Sequence, residues 1–87
     1  MSIVVELFGI CRQRAGVASA DVPGSCLGDV LEELATRYPR LAAECIDRRR
    51  LRAGYLANLG GQRFVSDPDT PLAAGDSLLL MSLDAGG

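Results

Sequence analysis

The 87-residue sequence lacks histidine, lysine and tryptophan, and its only aromatic residues are two Phe and two Tyr. Without histidine, the chain cannot build a Ser-His or Cys-His nucleophile pair, and it lacks the commonest metal ligand. Because all nine basic residues are arginine, no side chain can accept an isopeptide bond. The net charge is -2, and no basic stripe interleaved with aromatics is present, which argues against nucleic acid as a partner.

Long apolar runs are also missing. The longest uninterrupted one covers residues 78–81, whereas a membrane-spanning helix needs about 20 residues. The N-terminus has no basic region followed by a long apolar stretch. We therefore expect a cytoplasmic protein that does not associate with membranes.

The cysteines are few and scattered. Cys11, Cys26 and Cys45 are odd in number and form no CxxC pair, which argues against a disulfide framework and a zinc site. We interpret them mainly as small buried apolar side chains. Cys26 stands at a predicted helix start and is the one to test for reactivity.

The N-terminal part of the chain predicts two strands and a helix. Residues 3–8 read as a strand, residues 10–19 as a loop and residues 18–22 as a second strand, so that the two strands form a hairpin. Apolar residues at helical spacing then predict a helix over residues 27–38, capped by Ser25 or Cys26, with a short helical turn at residues 41–46.

Two charged clusters in this region have alternative interpretations. Asp29, Glu32 and Glu33 lie on the helix as either a solvated face, which we favour, or an acid/base group. Residues 48–50 are three arginines in a row, either a solvated loop or a docking patch for an acidic partner.

The C-terminal half returns to strand patterns. Alternate apolar positions over residues 51–59 predict a strand, Gly60 and Gly61 a turn, and Phe64 with Val65 a return strand. A single helical turn at residues 71–74 precedes a last strand from Ser77. This strand is apolar on both faces over residues 78–80 and therefore belongs at the centre of a sheet.

Together these elements predict an α+β protein of β-grasp (ubiquitin-like) fold. We expect a mixed sheet of four to five strands, one main helix packed on one face, and the last strand central beside the first. Residues 1–81 would form the single domain and residues 82–87 an extended tail. Four to six extended residues reach roughly 13 to 20 Å, far enough to enter another protein's active site.

The tail ends in Gly86 and Gly87, which have no side chains to widen an entry channel. The group that it delivers is the carboxylate of Gly87, which is ionised at neutral pH because its reference pKa is about 3.3 to 3.7. An ionised carboxylate is a poor electrophile. To carry a group covalently it must first be activated, and the general route is adenylation by ATP on a separate enzyme.

The segments "VVELFGICRQRAG", "GDVLEELATRYPRL" and "TPLAAGDSLLLMSLDAGG" carry a resemblance that covers essentially the whole chain. The sequence resembles the ubiquitin-like sulfur carriers of prokaryotes, most closely the small subunit of molybdopterin synthase, also called molybdopterin-converting factor subunit 1. The thiamine-biosynthesis sulfur carrier is a sister of that family. The most specific shared features are the Pro-Leu-x-x-Gly-Asp turn at residues 71–76 and the terminal Gly-Gly.

The resemblance implies a function for Gly87. An E1-like enzyme that uses ATP would adenylate it, and a sulfur donor system would convert it to a thiocarboxylate. The tail would then enter the large subunit of molybdopterin synthase, in a heterotetramer with two carriers, and donate sulfur to form the dithiolene of molybdopterin. The chain would bind no cofactor and contribute no catalytic groups beyond Gly86 and Gly87, so that it is an enzyme subunit only as the sulfur donor.

The tail and the sheet around it supply the candidate partner contacts. Asp84 and Ala85 depart from the Pro-rich approach to Gly-Gly that is common in the family, and Asp84 puts a negative charge in the threading segment. Alternative functions are sulfur delivery for thiamine or cysteine synthesis, a ubiquitin-like protein modifier, and a plain interaction domain. The candidate contacts are Phe8, Phe64, Leu80, Leu83, Asp84 and Ala85, with a core position as the alternative for each of the first four.

Overall fold

The computed structural model of the protein describes residues 2–83. Five strands of this part of the chain form one sheet in the order β2-β1-β7-β5-β6, and β3 and β4 form a separate two-stranded ribbon. The elements in chain order are β1 (Ile3–Leu7), α1 (Gly9–Ala15), β2 (Ser19–Val22), α2 (Leu27–Arg37), α3 (Pro39–Cys45), β3 (Ile46–Asp47), β4 (Arg50–Leu51), β5 (Tyr55–Leu59), β6 (Arg63–Val65) and β7 (Ser77–Ser82).

The last strand lies at the centre of the sheet. β7 runs parallel to β1 on one side and antiparallel to β5 on the other. Leu78 and Leu80 are fully buried on its inner face, and Leu79 is half-buried on its outer face. A strand with apolar side chains on both faces favours this position, and the predicted β-grasp arrangement is confirmed.

The main helix packs its apolar stripe into the core. In α2, the buried side chains Leu27, Val30, Leu31 and Leu34 recur at helical spacing, and each contributes about 1.5 to 3 kcal/mol by leaving water. The helix ends before Pro39, which begins α3 at its first position, where the missing N–H costs nothing. The predicted short turn is therefore a seven-residue helix that starts two residues earlier.

The prediction of a loop over residues 10–19 is wrong, because α1 occupies most of it. Gly16, taken as a loop residue, is the helix cap: it has φ 79° and donates its N–H to the Arg12 carbonyl. Cys11 holds the helix against the core. The predicted antiparallel pairing of β1 and β2 is confirmed, but a helix and not a loop makes most of the connection between them.

The predicted strand over residues 51–59 is two strands. Leu51 belongs to β4, which pairs with β3 across a tight turn in which Arg48 has φ 60°. The chain then turns at residues 52–54 and enters β5 at Tyr55. The turn at Gly60 and Gly61 is confirmed, with φ 64° and 73°.

Residues 71–74 form no helical turn, so that prediction is also wrong. The Asp76 carboxylate accepts the Ala73 N–H at 2.8 Å, and the Asp76 N–H donates to the Ala73 carbonyl at 3.0 Å. This turn places Ser77 at the start of β7. No helix within residues 2–83 has the length and apolar character needed to cross a membrane.

Candidate functional site at the end of the last strand

Both neighbouring strands hold the end of β7. On the β5 side, Ser82 faces Tyr55 in register, and the Leu83 N–H donates to the Gly54 carbonyl at 2.7 Å. On the β1 side, the Phe8 N–H donates to the Leu80 carbonyl at 3.1 Å. The backbone is therefore fixed as far as Leu83. The predicted tail residues Asp84, Ala85, Gly86 and Gly87 lie outside the described residues.

Three of the four predicted contact residues in the described part are exposed large apolar side chains. Leu83 is 66% exposed, Phe64 62% and Phe8 42%. Leu80, by contrast, is fully buried and belongs to the core, so its prediction as a partner contact is wrong. The side chains of a strand alternate between faces, which puts Leu80 and Leu83 on opposite sides of the sheet.

Sequence reasoning missed two further apolar residues beside this site. Leu56 and Met81 face each other across β5 and β7, and both are half-buried. They alternate with the buried residues Ala57 and Leu80, and so share the outer face with Leu83. The strand alternation itself was the signal that could have found them.

A hydrogen-bonded cluster lies under the base of the tail. The Glu44 carboxylate of α3 accepts a hydrogen bond from Arg14 Nε of α1 at 3.1 Å and another from the Tyr55 hydroxyl of β5. The Tyr55 and Arg14 hydrogen bonds hold the pKa of Glu44 below its usual value. The same carboxylate raises the pKa of Tyr55 to about 12, since it favours the protonated hydroxyl. Two helices and a strand are thus tied together next to Ser82.

The arginine-rich turn makes a second cluster, at the start of α2. Arg49 Nη1 lies 3.3 Å from Asp29 Oδ1 and also contacts the Glu32 carboxylate. The Ser25 N–H and Arg49 lower the pKa of Asp29, in that order. The acidic side chains of α2 are therefore ion-paired with arginine, as is Glu33 with Arg37 at 2.9 Å.

Gly28 makes room for this second cluster. A Cβ at Gly28 would lie 2.6 Å from Arg49 Nη2, so the guanidinium packs directly on the helix backbone. Of the three arginines considered as a docking patch, Arg49 is engaged in this contact, and only Arg48 and Arg50 are exposed.

The three cysteines are free thiols. Cys11 and Cys45 are buried where α1 meets α3, as the sequence predicted, and a hydrogen bond to Cys11 together with burial raises the pKa of Cys45. Cys26 is the half-exposed cap residue of α2, with its Sγ 3.6 Å from Arg49 Nη2. No cluster of three potential metal-ligating side chains occurs between residues 2 and 83.

Known proteins resemble the chain in structure more than in sequence. No protein-family model matches it, and neither does any curated protein. The crystal structure of SAMP1 from Haloferax volcanii is similar over 100% of both chains, at 25% identity and a TM-score of 0.84. A putative molybdopterin converting factor subunit 1 from Pyrococcus furiosus is 26% identical over 94% of this chain and 97% of its own, with a TM-score of 0.75. The BexX/CysO complex of Amycolatopsis orientalis gives a TM-score of 0.81 at 18% identity, over 98% and 99% of the two chains, which supports the fold alone.

The order of the strands, the helix across the inner face and these likenesses define a ubiquitin-like β-grasp protein. Its structural neighbours are ubiquitin-like sulfur carriers and modifiers, which agrees with the resemblance stated from the sequence.

Proposed function

We propose that the protein is a sulfur carrier that holds sulfur as a thiocarboxylate on Gly87. The likeness to ubiquitin-like carriers and modifiers supports a general carrier role. The observation that carries the proposal is the anchored end of β7, where bonds to Gly54 and Phe8 fix the backbone beside exposed Leu83. A rigid backbone at the end of β7, with apolar side chains beside it, would hold the tail in position to enter another protein.

The chemistry takes place on partner enzymes. On an E1-like activating enzyme, a Gly87 carboxylate oxygen attacks the α-phosphate of ATP, and pyrophosphate leaves. Hydrosulfide supplied by the donor system then attacks the acyl carbon of the adenylate, AMP leaves with the bonding electrons, and loss of the sulfur-bound proton gives the thiocarboxylate. In this proposal the chain supplies the acyl group and its position, and binds no cofactor of its own.

For the sulfur acceptor, we favour molybdopterin synthesis. The likeness to the Pyrococcus furiosus protein, a putative molybdopterin converting factor subunit 1, supports this choice. The large subunit of molybdopterin synthase would contact Phe8, Phe64 and Leu83 and receive residues 84–87, in the heterotetramer implied by the sequence resemblance. A cytoplasmic location belongs to the same proposal.

Protein modification is the second candidate. It is favoured by the likeness to SAMP1, the small archaeal modifier protein 1 of Haloferax volcanii. The two functions share the activated Gly87 and differ in the nucleophile that attacks it. Delivery of sulfur for cysteine or thiamine synthesis differs from the leading proposal only in the acceptor.

Intact-mass spectrometry tests the proposal. The protein from its native host should end at Gly87, and co-expression with an activating enzyme and a sulfur source should replace one C-terminal oxygen by sulfur. The variant that lacks Gly87 is the matched control and should keep its mass. An unchanged mass, under conditions that convert a known carrier, would overturn the carrier proposal.

A second measurement separates the two candidates. Thiocarboxylated protein mixed with a molybdopterin synthase large subunit and a cyclic pyranopterin monophosphate should yield molybdopterin and return to the carboxylate mass. Lysine-linked conjugates in the native host, together with no molybdopterin, would favour the modifier.

A further inference from the structure

An open cleft lies on the far side of β5 from the tail. It has a volume of about 380 Å³ and runs along the sheet edge beyond the end of β6. Its lining is mostly apolar, and the residues that matter here are Leu51, Arg52, Tyr55, Leu56, Phe64 and Val65. The cleft shares Tyr55 with the cluster under the tail base and Phe64 with the candidate partner contacts, and none of its lining residues belongs to the Arg49 cluster.

The edge of β5 is bare of strand partners at this cleft, and the Tyr55 N–H donates to the Arg52 carbonyl at 3.3 Å. β6 pairs with β5 only at residues 57–59, so Tyr55 and Leu56 have a strand neighbour on the β7 side alone. The chain leaves the sheet after Val65. An unpaired strand edge is a template for an added extended segment.

The backbone carbonyl of Tyr55 points toward this bare edge. The Leu83 N–H bonds to the Gly54 carbonyl at 2.7 Å and the Gly60 N–H to the Ser77 carbonyl at 2.8 Å, so the even-numbered residues of this stretch bond to β7. Bonding groups alternate between the two sides of an antiparallel strand, which turns the Tyr55 carbonyl away from β7. Within residues 2–83 no backbone or side-chain donor bonds to that carbonyl.

The charge at the cleft is positive. Arg52 lines it, is exposed, and makes no ion pair with any residue of the described chain. Phe64, which also lines the cleft, is 62% exposed. The cleft therefore offers a hydrogen-bond acceptor, an apolar wall and a guanidinium in one place.

We propose that this cleft binds a short extended segment of a partner protein, which adds to the free edge of β5. The segment would donate a backbone N–H to the Tyr55 carbonyl, place an apolar side chain between Leu51 and Phe64, and pair a carboxylate with Arg52. A segment of alternating apolar and acidic residues meets these requirements. The site is independent of residues 84–87 and of the sulfur chemistry.

Nuclear magnetic resonance titration of the full-length ¹⁵N-labelled protein tests the proposal. The probe is the capped tetrapeptide Ac-Val-Glu-Leu-Asp-NH2, in which apolar and acidic residues alternate. We expect saturable shift changes in the amides of residues 51–56 and 64–66. Arg52→Glu should weaken binding about tenfold, because it reverses the charge that meets the carboxylate. Arg12→Glu, which makes the same change on α1, is the control and should bind like the original protein.

Modified peptides test the other two contacts. Methylation of the central amide nitrogens removes the donor for Tyr55 and should abolish the saturable shifts. The peptide with Lys in place of Glu and Asp should bind at least about tenfold more weakly. Phe64→Ser, checked for an unchanged spectrum elsewhere, should also weaken binding.

Three outcomes would overturn the proposal. The first is an absence of saturable shifts, or shifts centred on other parts of the sheet. The second is equal binding by the Arg52→Glu and Arg12→Glu proteins. The third is a change of the cleft amides with protein concentration alone, which would make a second copy of the chain the occupant. A protein that ends at Leu83 should bind the peptide normally, so that failure of the carrier proposal leaves this result unaffected.

Discussion

The two faces of the five-stranded sheet use the same strands for different purposes. On the inner face, Val5, Leu78 and Leu80 are fully buried under the helices. On the outer face, Val4 is 36% exposed and Phe64 62%. Because neighbouring residues of a strand point to opposite faces, a shift of one position separates a side chain that stabilises the fold from one that is free to contact a partner.

The sharpest test of this comparison is a pair of leucines at the end of β7. Leu80→Ala should lower the free energy of unfolding by about 2 to 5 kcal/mol, since it leaves a cavity in the core. Leu83→Ala, in which the same atoms are removed from a side chain that is 66% exposed, should change it by less than about 0.5 kcal/mol. Urea denaturation measures both. Equal losses would contradict the assignment of these two residues to opposite faces.

The next largest effect is expected at the cluster under the tail base. Tyr55→Phe should lower the melting temperature, because Glu44 and Arg14 lose the hydroxyl that links them to β5. The hydrogen bond to Glu44 raises the pKa of Tyr55 from 10 to about 12 in the folded protein. The protonated hydroxyl therefore stabilises the fold fully below pH 10, and this contribution is lost as the pH rises through 12. Absorbance titration at alkaline pH should therefore lose the transition near 12 in the variant. A transition that persists would assign it to another group.

Lowering the pH should reveal how much Glu44, which accepts the Tyr55 hydrogen bond, contributes to stability. The pKa of Glu44 is lowered, so its contribution is present above the ordinary value for a glutamate and is lost as the pH falls through the folded-state value. Glu44→Gln should therefore reduce stability at neutral pH and have a smaller effect in acid. Thermal unfolding as a function of pH measures the difference. A pH-independent difference between the two proteins would rule out the carboxylate's charge as its source.

The Arg49 cluster should give a smaller effect that salt removes. Its ion pairs with Asp29 and Glu32 are partly exposed, and such pairs contribute little to stability. Arg49→Gln should lower the melting temperature slightly at low ionic strength, and 1 M NaCl should reduce this difference, because charges are screened within about 3 Å there. Arg50→Gln, an exposed neighbour, is the control.

The smallest effect on stability is expected on the outer face. Phe64→Ser should change the free energy of unfolding by less than about 0.5 kcal/mol, because the ring is mostly in water already. In the proposed complex with a large subunit, the same change should weaken association measurably by calorimetry. A large loss of stability would instead show that Phe64 supports the fold.

Patterns within one element predicted much of this fold. Three successive apolar residues at 78–80 were enough to place β7 in the middle of the sheet, and the apolar stripe that begins at Leu27 predicted α2. Only Cys11 is fully buried among the seven residues of α1, so the sequence shows no apolar stripe that would predict a helix. The arginines and Gly16 favoured a loop instead.

The parts of the site that depend on distant residues could not be predicted. Arg14 and Glu44 are 30 positions apart, and their contact exists only because α1 packs on α3. The cleft beside β5 exists because β6 ends at Val65 while β5 extends to Tyr55, which follows from strand lengths that composition does not determine. The burial of Leu80, in contrast, was available from its alternation with Leu83.

The pairing of β7 with β1 also bears on how the protein folds during synthesis. β1 has no parallel partner until β7 has been synthesised, so the β1–β7 pair cannot form until translation has passed Ser82. Contacts between such distant parts of a chain slow folding. Ribosome-bound chains that stop before residue 77 should therefore remain protease-sensitive. A folded chain therefore already contains β7, the strand that supports Leu83.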